Sequence, residues 1–408
     1  MATEPLSPQE LLEYLLELGQ ALLSAGCSIW RLEELLSAVA KREGCALEVF
    51  AVPTGLFVSL RAASGPPLLA MVRLTQWGTD LQLLGALDEV VTDVGDGLLT
   101  VPEARARIRE LTTAPRRYPL AARLLAGMGA SAGSVVTLGG SSWTDSVLAG
   151  IGGGLLALVL ARTQREPRMR VLENFLGGLI AGAVALAATL VWPGHSRDAL
   201  VLAIVLPLLP GLTMTTGLVE LVYKNLVAGS SRLMYAGVTL LSLVFGIAAV
   251  VTLESYLGLS PGAAAPREAA GVAWNLLALP VTAVSIGVLT GLRAKDLRIA
   301  LASCGLVWAS TWLARLVLAD LSLFAVAFTL AASANAWARV TARPSQLFLV
   351  PGLWLLVPGV LGFKGLDALL RGDVTTGTAQ LSSLLLVSGA LVTGLLVANV
   401  AVPPQKVL

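Results

Sequence analysis

Apolar blocks about as long as a membrane is thick are the feature of this sequence that most limits its fold. From Leu120 onward such blocks follow one another, separated by short polar breaks. A helix rises roughly 1.5 Å per residue, so about 20 apolar residues cross the hydrocarbon layer. Hydrophobic residues make up 56% of the 408 positions and charged residues 13%. No water-soluble fold accounts for such a chain as a whole.

The block pattern predicts an α-helical polytopic membrane protein with about ten transmembrane helices. Arginine and lysine are concentrated in alternate connections: one connection holds Arg162, Arg165, Arg168 and Arg170, whereas the next holds only Arg197. The positive-inside rule then places both termini in the cytoplasm of a multi-pass protein of the bacterial inner membrane. The spans are predicted near 121–139, 143–162, 172–192, 198–222, 233–253, 272–292, 299–318, 320–339, 346–370 and 377–400.

The first part of the chain, residues 1–117, has charges every few positions and is predicted to be a soluble cytoplasmic α+β domain. Its start is acidic and carries no signal-peptide pattern. Ser28 is a candidate cap for the second helix, and Thr100 and Glu103 form a capping box at the start of the last helix. Helical periodicity and short β-branched runs predict helices at Pro8–Ala25, Ser28–Arg42, Thr79–Val94 and Thr100–Leu111, and strands at Ala46–Val52, Gly55–Ala62 and Pro67–Leu74.

Two of the predicted spans contain matching helix breakers. Pro210-Gly211 and Pro358-Gly359 both open the pattern P-G-x5-G-L, and a carboxylate follows each, Glu220 or Asp367. The breakers fall in the fourth and ninth spans, the fourth member of each set of five. Because five is odd, the second set crosses the membrane in the opposite sense. We therefore predict two inverted five-helix repeats, at 118–254 and 271–402.

A proline inside a span frees backbone groups that hydrocarbon cannot satisfy, so these groups need a partner, a cavity or a ligand. Corresponding broken helices bind substrate in many secondary transporters. The alternative is that both prolines only kink packed helices. The predicted substrate-binding or translocation residues are the breakers and nearby polar groups: Pro210, Gly211, Thr213, Thr215, Thr216, Glu220, Asn275, Asn335, Pro358, Gly359, Lys364 and Asp367.

Proton coupling would require a carboxylate that changes protonation during transport. Partial loss of water raises the pKa of such a group. Glu220 is the hypothesis for that group, because it follows the first breaker in an apolar run.

Two motifs of the N-terminal part resemble the threonine/serine exporter family. Residues 26–33, Gly-Cys-Ser-Ile-Trp-Arg-Leu-Glu, are similar to its G-[AC]-S-x-x-R-[VL]-E signature, and residues 53–60, Pro-Thr-Gly-Leu-Phe-Val-Ser-Leu, to its P-T-G-[IL]-F-V-S-L strand. In the membrane part, Arg343-Pro344 with Pro351-Gly352 and Pro358-Gly359 is similar to the family's second-half motif. The resemblance implies proton-coupled export of threonine and serine. Split homologues associated with succinate export make a dicarboxylate exporter the alternative.

The resemblance leaves the role of the N-terminal motifs open. Arg31 and Glu33 pair within the domain on one reading. On the other, the motifs form a gate or a sensor site beneath the membrane. The residues concerned are Gly26, Ser28, Arg31, Glu33, Pro53, Thr54 and Gly55.

An enzyme and a membrane sensor are the competing classes. A hydrolase would use Ser24, Cys27 or Ser28 as nucleophile, but the one histidine, His195, is predicted on the far side of the membrane. A Ser-Lys pair with Lys41 stays open. A sensor needs no pair of broken spans. Three spaced cysteines and one histidine predict no metal, no G-x4-G-K-[ST] loop indicates ATP, and a net charge of +2 predicts no nucleic-acid partner. No cofactor is expected, and a homo-oligomer is left open.

Overall fold

A computed structural model gives the structure of the protein. It describes residues 7–75, 78–114, 118–138, 143–192, 194–259, 271–317, 321–356 and 358–404.

The N-terminal unit, residues 7–114, packs four helices on a three-stranded antiparallel sheet of order β1-β2-β3. Leu56, Val58 and Leu60 alternate along the middle strand and are fully buried against the helices. Both α1 and α4 begin with a capping box, the second being the predicted Thr100 and Glu103 pair. The elements match the predicted ones in type and order: α1 Pro8–Ser24, α2 Ile29–Arg42, β1 Ala46–Val52, β2 Gly55–Arg61, β3 Leu68–Arg73, α3 Leu81–Gly95 and α4 Val101–Thr113.

The rest of the described chain is helical. Helix α12 continues through Pro280 and α15 through Pro351, whereas the chain breaks at Pro210 and before Pro358. The helices are α5 Leu120–Thr137, α6 Trp143–Thr163, α7 Pro167–Arg170, α8 Glu173–Val191, α9 Arg197–Val205, α10 Gly211–Val222, α11 Leu226–Tyr256, α12 Val272–Leu289, α13 Leu297–Val317, α14 Ser322–Thr341, α15 Gln346–Leu355, α16 Gly359–Leu370 and α17 Val374–Ala401.

By length and hydropathy, seven helical stretches in the described ranges can cross a membrane, or eight if the bent pair α9–α10 is one span. Two shorter apolar helices, Leu120–Val136 and Leu276–Leu289, coincide with the predicted first and sixth spans. The chain is therefore a helical multi-spanning protein. The count of ten spans stays a prediction.

The N-terminal unit shares its hydrophobic core with the membrane helices. Ala228, Leu292, Ala300 and Leu347 belong to the same buried cluster as the leucines of α1 and α2. At the edge of this cluster, the backbone N–H of Leu81 donates to the carbonyl of Thr290 at 2.9 Å. The unit is thus docked on the helical part by apolar packing as well as by polar contacts.

Glycines permit the closest helix contacts. At Gly178 in α8, a Cβ atom would lie 2.0 Å from the carbonyl oxygen of Leu243. At Gly246 in α11, it would lie 2.2 Å from the carbonyl oxygen of Phe175. Neither backbone can yield as a flexible side chain would, so α8 and α11 pack at a distance that only glycine allows.

We expect Gly246→Ala to lower the thermal unfolding midpoint of the purified protein, because overpacking a tight contact costs about 1–3 kcal/mol. Gly237→Ala in the same helix is the matched control, since a Cβ there meets nothing within 4 Å. Differential scanning fluorimetry in detergent measures both. Equal midpoints for the two variants would contradict the tight contact.

Candidate functional site

The first break joins α9 to α10 at a bend of 57°. A short 3-10 turn, Leu206–Leu208, precedes it, and Leu209 is extended with φ −64° and ψ 125°. The backbone N–H of Gly211 donates to the carbonyl of Leu209 at 2.9 Å instead of continuing the α-helical ladder. Proline causes this interruption because it supplies no N–H and clashes with the preceding turn.

The second break separates α15 from α16, where Pro358 is the residue before the new helix. Pro358 and Gly359 are buried, as are Pro210 and Gly211 at the first break. Both breaks therefore lie inside the helical part and do not face outward. Backbone groups freed there are surrounded by protein.

Apolar side chains beside each break pack toward the other break. Leu212, after the first break, packs on the cluster that holds Leu353 and Leu356, before the second. Phe363, after the second break, belongs to the cluster that holds Leu209, before the first. The two interrupted segments are thus neighbours in the structure.

A constant interval of 148 positions relates the two segments and the helices that follow them. It separates Pro210 from Pro358 and Leu226, the first residue of α11, from Val374, the first of α17. Gly217 lies against Gly229, and the residues 148 positions later, Gly365 and Gly377, lie against each other in the same way.

The residue two positions before each following helix is also equivalent. Lys224 and Gly372 both have left-handed backbones, with φ 65° and 82°, and they are again 148 positions apart. This conformation is costly for lysine and free for glycine. The first segment therefore has the same left-handed turn as the second, although a lysine, Lys224, occupies it.

The two segments run in opposite directions relative to the N-terminal unit. Helix α10 ends against this unit at Glu220, whereas α15 begins against it, next to Ser345. At the far end, the guanidinium of Arg371, just after α16, is 3.8 Å from the carboxylate of Asp198 in α9.

The turn between α1 and α2 sets the position of the first sequence motif. Gly26 has φ +94°, and a Cβ there would lie 2.5 Å from the carbonyl oxygen of Gly78. The N–H of Cys27 donates to Leu22 and that of Gly26 to Leu23, which is the glycine-ended helix cap. This turn therefore needs glycine, and it directs the start of α2 toward the membrane helices.

Glu220 is the group that receives the start of α2. Its side chain is fully buried, and one carboxylate oxygen accepts the N–H of Ile29 at 3.4 Å. The other oxygen lies 2.9 Å from Nε of Arg232 in α11. Ser28 is the residue before α2, as predicted, but its side chain makes no capping bond. The carboxylate of Glu220 caps α2 in place of the Ser28 hydroxyl, because a helix N-terminus favours negative charge.

The next two residues of α2 reach both interrupted segments. Trp30 stacks on Tyr223 just after α10, with ring centroids 4.8 Å apart. Nη1 of Arg31 donates to the hydroxyl of Ser345 at 3.2 Å. We name Ile29, Trp30 and Arg31, with their three partners, the α2 clamp.

Charged side chains surround the clamp. Arg343 makes a two-pronged salt bridge to Asp296, at 2.8 and 3.0 Å. Burial and the nearby Glu220 carboxylate raise the pKa of Glu33. Burial also raises the pKa of Asp88 in α3 to about 7, against the opposing effect of Arg31.

At the opposite end, three residues at the start of α9 contact three other helices. His195 Nδ1 lies 2.5 Å from the carboxylate of Asp145 in α6, and both side chains are buried. Arg197 lies 2.7 Å from Glu254 in α11. With the Asp198 contact to Arg371, these pairs join the outer ends of α6, α9, α11 and α16.

Several predicted residues lie on the two segments without meeting at one point. Thr215 is buried, Thr213 and Thr216 are half-buried, and Lys364 is exposed on α16. Asp367 pairs with Arg371 at 2.9 Å. These five positions stay predictions for substrate contact.

Of the two predicted asparagines, Asn335 makes its described hydrogen bonds at the end of α17 and not at the breaks. Asn335 donates to the side chain of Asn399 at 2.9 Å and to the carbonyl of Val402 at 2.8 Å, so it ties α14 to the end of α17. Asn275 falls in α12, and its side chain lies outside the described part.

The second motif, Pro53-Thr54-Gly55, forms the hairpin turn between β1 and β2. Val52 pairs with Gly55 across this turn, and the carbonyl of Thr54 accepts the N–H of Leu74 at 2.9 Å. These contacts are internal to the N-terminal unit. Of the two motifs, only the first contributes to the α2 clamp.

The candidate nucleophiles of a hydrolase are poorly placed. Burial raises the pKa of the Cys27 thiol to about 11, which disfavours the reactive thiolate. The Ser24 hydroxyl donates to the carbonyl of Ala21 at 2.8 Å. Lys41, near the other end of α2, is roughly 20 Å along the helix from Ser28 at its rise per residue.

Sequence reasoning missed the aromatic and arginine partners in the clamp. Trp30 lay inside the first motif and Arg232 followed the first broken span, but neither was singled out. Tyr223 and Ser345 lie at the ends of broken helices, where backbone groups need polar partners. Their positions in the sequence could therefore have marked them as contact residues. Glu220, Arg31 and Ser28 were predicted, and the structure brings all three to one place.

The fold and this site define a polytopic membrane protein with paired, proline-interrupted helices. Two family models match the chain. The model described as a putative threonine/serine exporter matches residues 13–254, and the model described as Threonine/Serine exporter, ThrE, matches residues 275–401. The chain belongs to the threonine/serine exporter family. Family membership points to transport and not to enzymatic activity.

Individual relatives are distant. The Threonine/serine exporter of Corynebacterium glutamicum is 23% identical over 392 residues, covering 92% of this chain and 79% of that protein. Pheromone-regulated membrane protein 10 of Candida albicans is 24% identical over 374 residues, covering 86% of this chain and 33% of that protein. The chain thus spans about a third of that fungal relative. No solved structure matches the chain.

We expect Asp88→Asn to reduce the pH dependence of stability. The folded-state pKa of Asp88, about 7, lies above the ordinary aspartate value of 3.8, so the folded protein binds this proton more tightly than the unfolded chain does. Stability therefore falls as pH rises between about 4 and 7 and stays lowered above that window. The measurement is the unfolding midpoint of wild type and variant at pH 5 and pH 8.

Glu48→Gln, an exposed carboxylate on β1, is the matched control for this experiment. It is expected to keep the wild-type difference between the two pH values. An Asp88→Asn protein with an undiminished difference would contradict the raised pKa of Asp88.

Proposed function

We propose that this protein is a secondary-active exporter of small polar metabolites, threonine and serine first among them, which works by alternating access around α9–α10 and α15–α16. The observation that carries the proposal is the pair of buried Pro-Gly breaks, packed toward each other in segments of opposite direction. Broken helices in this arrangement are typical substrate sites of secondary transporters. The name of the C. glutamicum relative supports the substrate class.

We further propose that the membrane part consists of two inverted repeats, 118–254 and 271–402, within ten spans. The constant interval of 148 positions, the equivalent glycine contacts and the opposite directions of the two segments support it. On this assignment α5, α6, α8, α9–α10 and α11 correspond to α12, α13, α14, α15–α16 and α17. On this proposal, the N-terminal unit is a separate cytoplasmic domain, and the helical part lies in a bacterial inner membrane.

Substrate recognition follows from the chemistry of the breaks. Apart from Gly211, whose N–H donates to Leu209, the amides at the start of α10 and α16 lie in first turns, where a helix offers no acceptor and a carboxylate is favoured. The hydroxyls of Thr213 and Thr216 offer hydrogen bonds to a small polar side chain. A free amino acid combines both features, whereas succinate has two carboxylates and no hydroxyl. Succinate is the alternative substrate.

Proton coupling is proposed to act through Glu220. A proton there would cancel the charge that holds Arg232 and the N–H of Ile29. The charged groups around it are Arg232 on α11, whose guanidinium stabilises the carboxylate, and Glu33 on α2, whose own carboxylate repels it. Protonation would thus loosen the contact between α10 and α2.

The substrate proposal is tested by counterflow in proteoliposomes. Labelled threonine, serine and succinate are offered in turn against unlabelled threonine inside. We expect threonine and serine to accumulate and succinate to stay at the level of empty liposomes. Accumulation of succinate alone would establish the dicarboxylate alternative. Background movement of all three would contradict the exporter proposal.

The role of Glu220 is tested by measuring threonine counterflow at several pH values in Glu220→Gln. We expect the variant to lose the pH dependence of the wild type, because glutamine cannot exchange a proton. Glu254→Gln is the matched control, since Glu254 is also buried and paired with an arginine, at the other end of the helices. A Glu220→Gln protein with the full wild-type pH profile would exclude Glu220 as the proton carrier.

A further inference from the structure

The contacts of the N-terminal unit divide unevenly between the two halves of the membrane part. The second half supplies both polar and apolar contacts: Leu81 N–H to Thr290 at 2.9 Å, Glu89 to Arg293 at 2.8 Å, Arg31 to Ser345 at 3.2 Å, and Leu292, Ala300 and Leu347 within the unit's core.

The hydrogen bond to Thr290 and the ion pair to Arg293 both reach the connection between α12 and α13. Leu292 of this connection is fully buried in the core of the unit. Apolar packing, a backbone hydrogen bond and an ion pair thus act together on one segment. The N-terminal unit is firmly attached to the second half.

The first half contacts the unit at the end of α10 and at α11, which packs against β1. At the end of α10, Glu220 accepts the N–H of Ile29, and Tyr223 stacks on Trp30. Ala228, three residues into the following helix, is the first-half member of the unit's buried core. The N-terminal unit, which is attached to the second half, therefore contacts the interrupted span of the first half through the start of α2.

The geometry of α2 allows this double contact. Successive residues of a helix point about 100° apart, so Ile29, Trp30 and Arg31 face different neighbours. Two of them meet the end of α10, and the third meets the start of α15. The inner ends of both interrupted segments are thereby held together by one turn of one helix.

We propose that the start of α2 is the inner gate of the transporter: the N-terminal unit moves with the second half, and the gate opens where Trp30 and Ile29 part from Tyr223 and Glu220. The inference rests on the proposed alternating-access function and specifies its moving joint. Separation would expose the carboxylate of Glu220 and the guanidinium of Arg232 to water. Both groups are buried in the closed form, at 0% and 11% exposure of their side chains.

The energetics suit a gate. Removing one partner from a buried charge costs several kcal/mol if the charge stays dry, but little if water enters at the same time. The clamp therefore opens only together with hydration of the inner passage. The apolar contacts that Leu292 and Leu347 make with the unit's core gain nothing from such hydration.

The test locks either joint by cross-linking. Trp30→Cys with Tyr223→Cys fixes the proposed moving joint, and Glu89→Cys with Arg293→Cys fixes the joint to the second half. Cys45 is replaced by serine in both, and the buried Cys27 and Cys304 are retained. A short bifunctional thiosulfonate links each pair in proteoliposomes, and labelled threonine reports counterflow before linking, after linking and after reduction.

We expect the Trp30–Tyr223 link to stop threonine counterflow and reduction to restore it, while the Glu89–Arg293 link leaves counterflow unchanged. Unchanged counterflow in both linked proteins would overturn the gate. Equal loss in both would overturn the assignment of the moving joint. If the unmodified protein moves no threonine, the proposed function fails and not the gate alone.

A labelling measurement covers the case in which the double cysteine protein does not fold. Thr216→Cys lies on the same face of α10 as Glu220, between the break and the clamp. With Trp30→Ala, we expect a membrane-impermeant maleimide applied from the side of the N-terminal unit to label this cysteine faster than with Trp30 intact. Equal labelling rates would overturn the gate without reference to transport.

Discussion

The buried carboxylate of Glu220 is the interaction on which the rest of the arrangement depends. A charge removed from water costs several kcal/mol unless it is paired and hydrogen-bonded, and Glu220 has both kinds of partner. Arg232 comes from the helix after the break, and the N–H of Ile29 comes from the N-terminal unit. The membrane part alone would leave the carboxylate with one partner. The position of α2 is therefore an electrostatic requirement of α10, and it acts together with the apolar packing that docks the N-terminal unit.

The same requirement for satisfied polar groups explains the interior position of the breaks. Freed backbone groups are tolerated at membrane depth only inside protein or beside water. Burial of Pro210, Gly211, Pro358 and Gly359 meets this condition. Glycines elsewhere let the neighbouring helices approach closely, as where Gly178 meets the backbone of Leu243. A helical part with irregular backbone in its centre thus needs unusually tight packing around it.

Local patterns in the sequence were sufficient for the elements but not for the clamp. The type and order of the N-terminal elements follow from short-range periodicity, and both breaks follow from proline chemistry. The contact of Ile29 with Glu220 joins residues 191 positions apart, and no local pattern encodes it. Ser28 was predicted as a cap from its residue type, yet the longer carboxylate of Glu220 takes that place. Asn335 was selected as a polar residue in an apolar run, and its amide instead bridges two helix ends.

The proposed repeat preserves backbone geometry more strictly than charge. At the 148-residue interval, Gly217 matches Gly365, but Glu220 matches Ala368 and Asp367 matches Val219. Glu220, the carboxylate that meets the start of α2, therefore has no acidic equivalent in the second half. In the proposed alternating-access cycle, such asymmetry would alter the rates of opening at the two ends. It cannot by itself set the direction of net transport, because a contact shifts an equilibrium only by its differential free energy between states. Direction must come from a gradient, and a titratable group in the asymmetric contact is the place where a proton gradient would act on it.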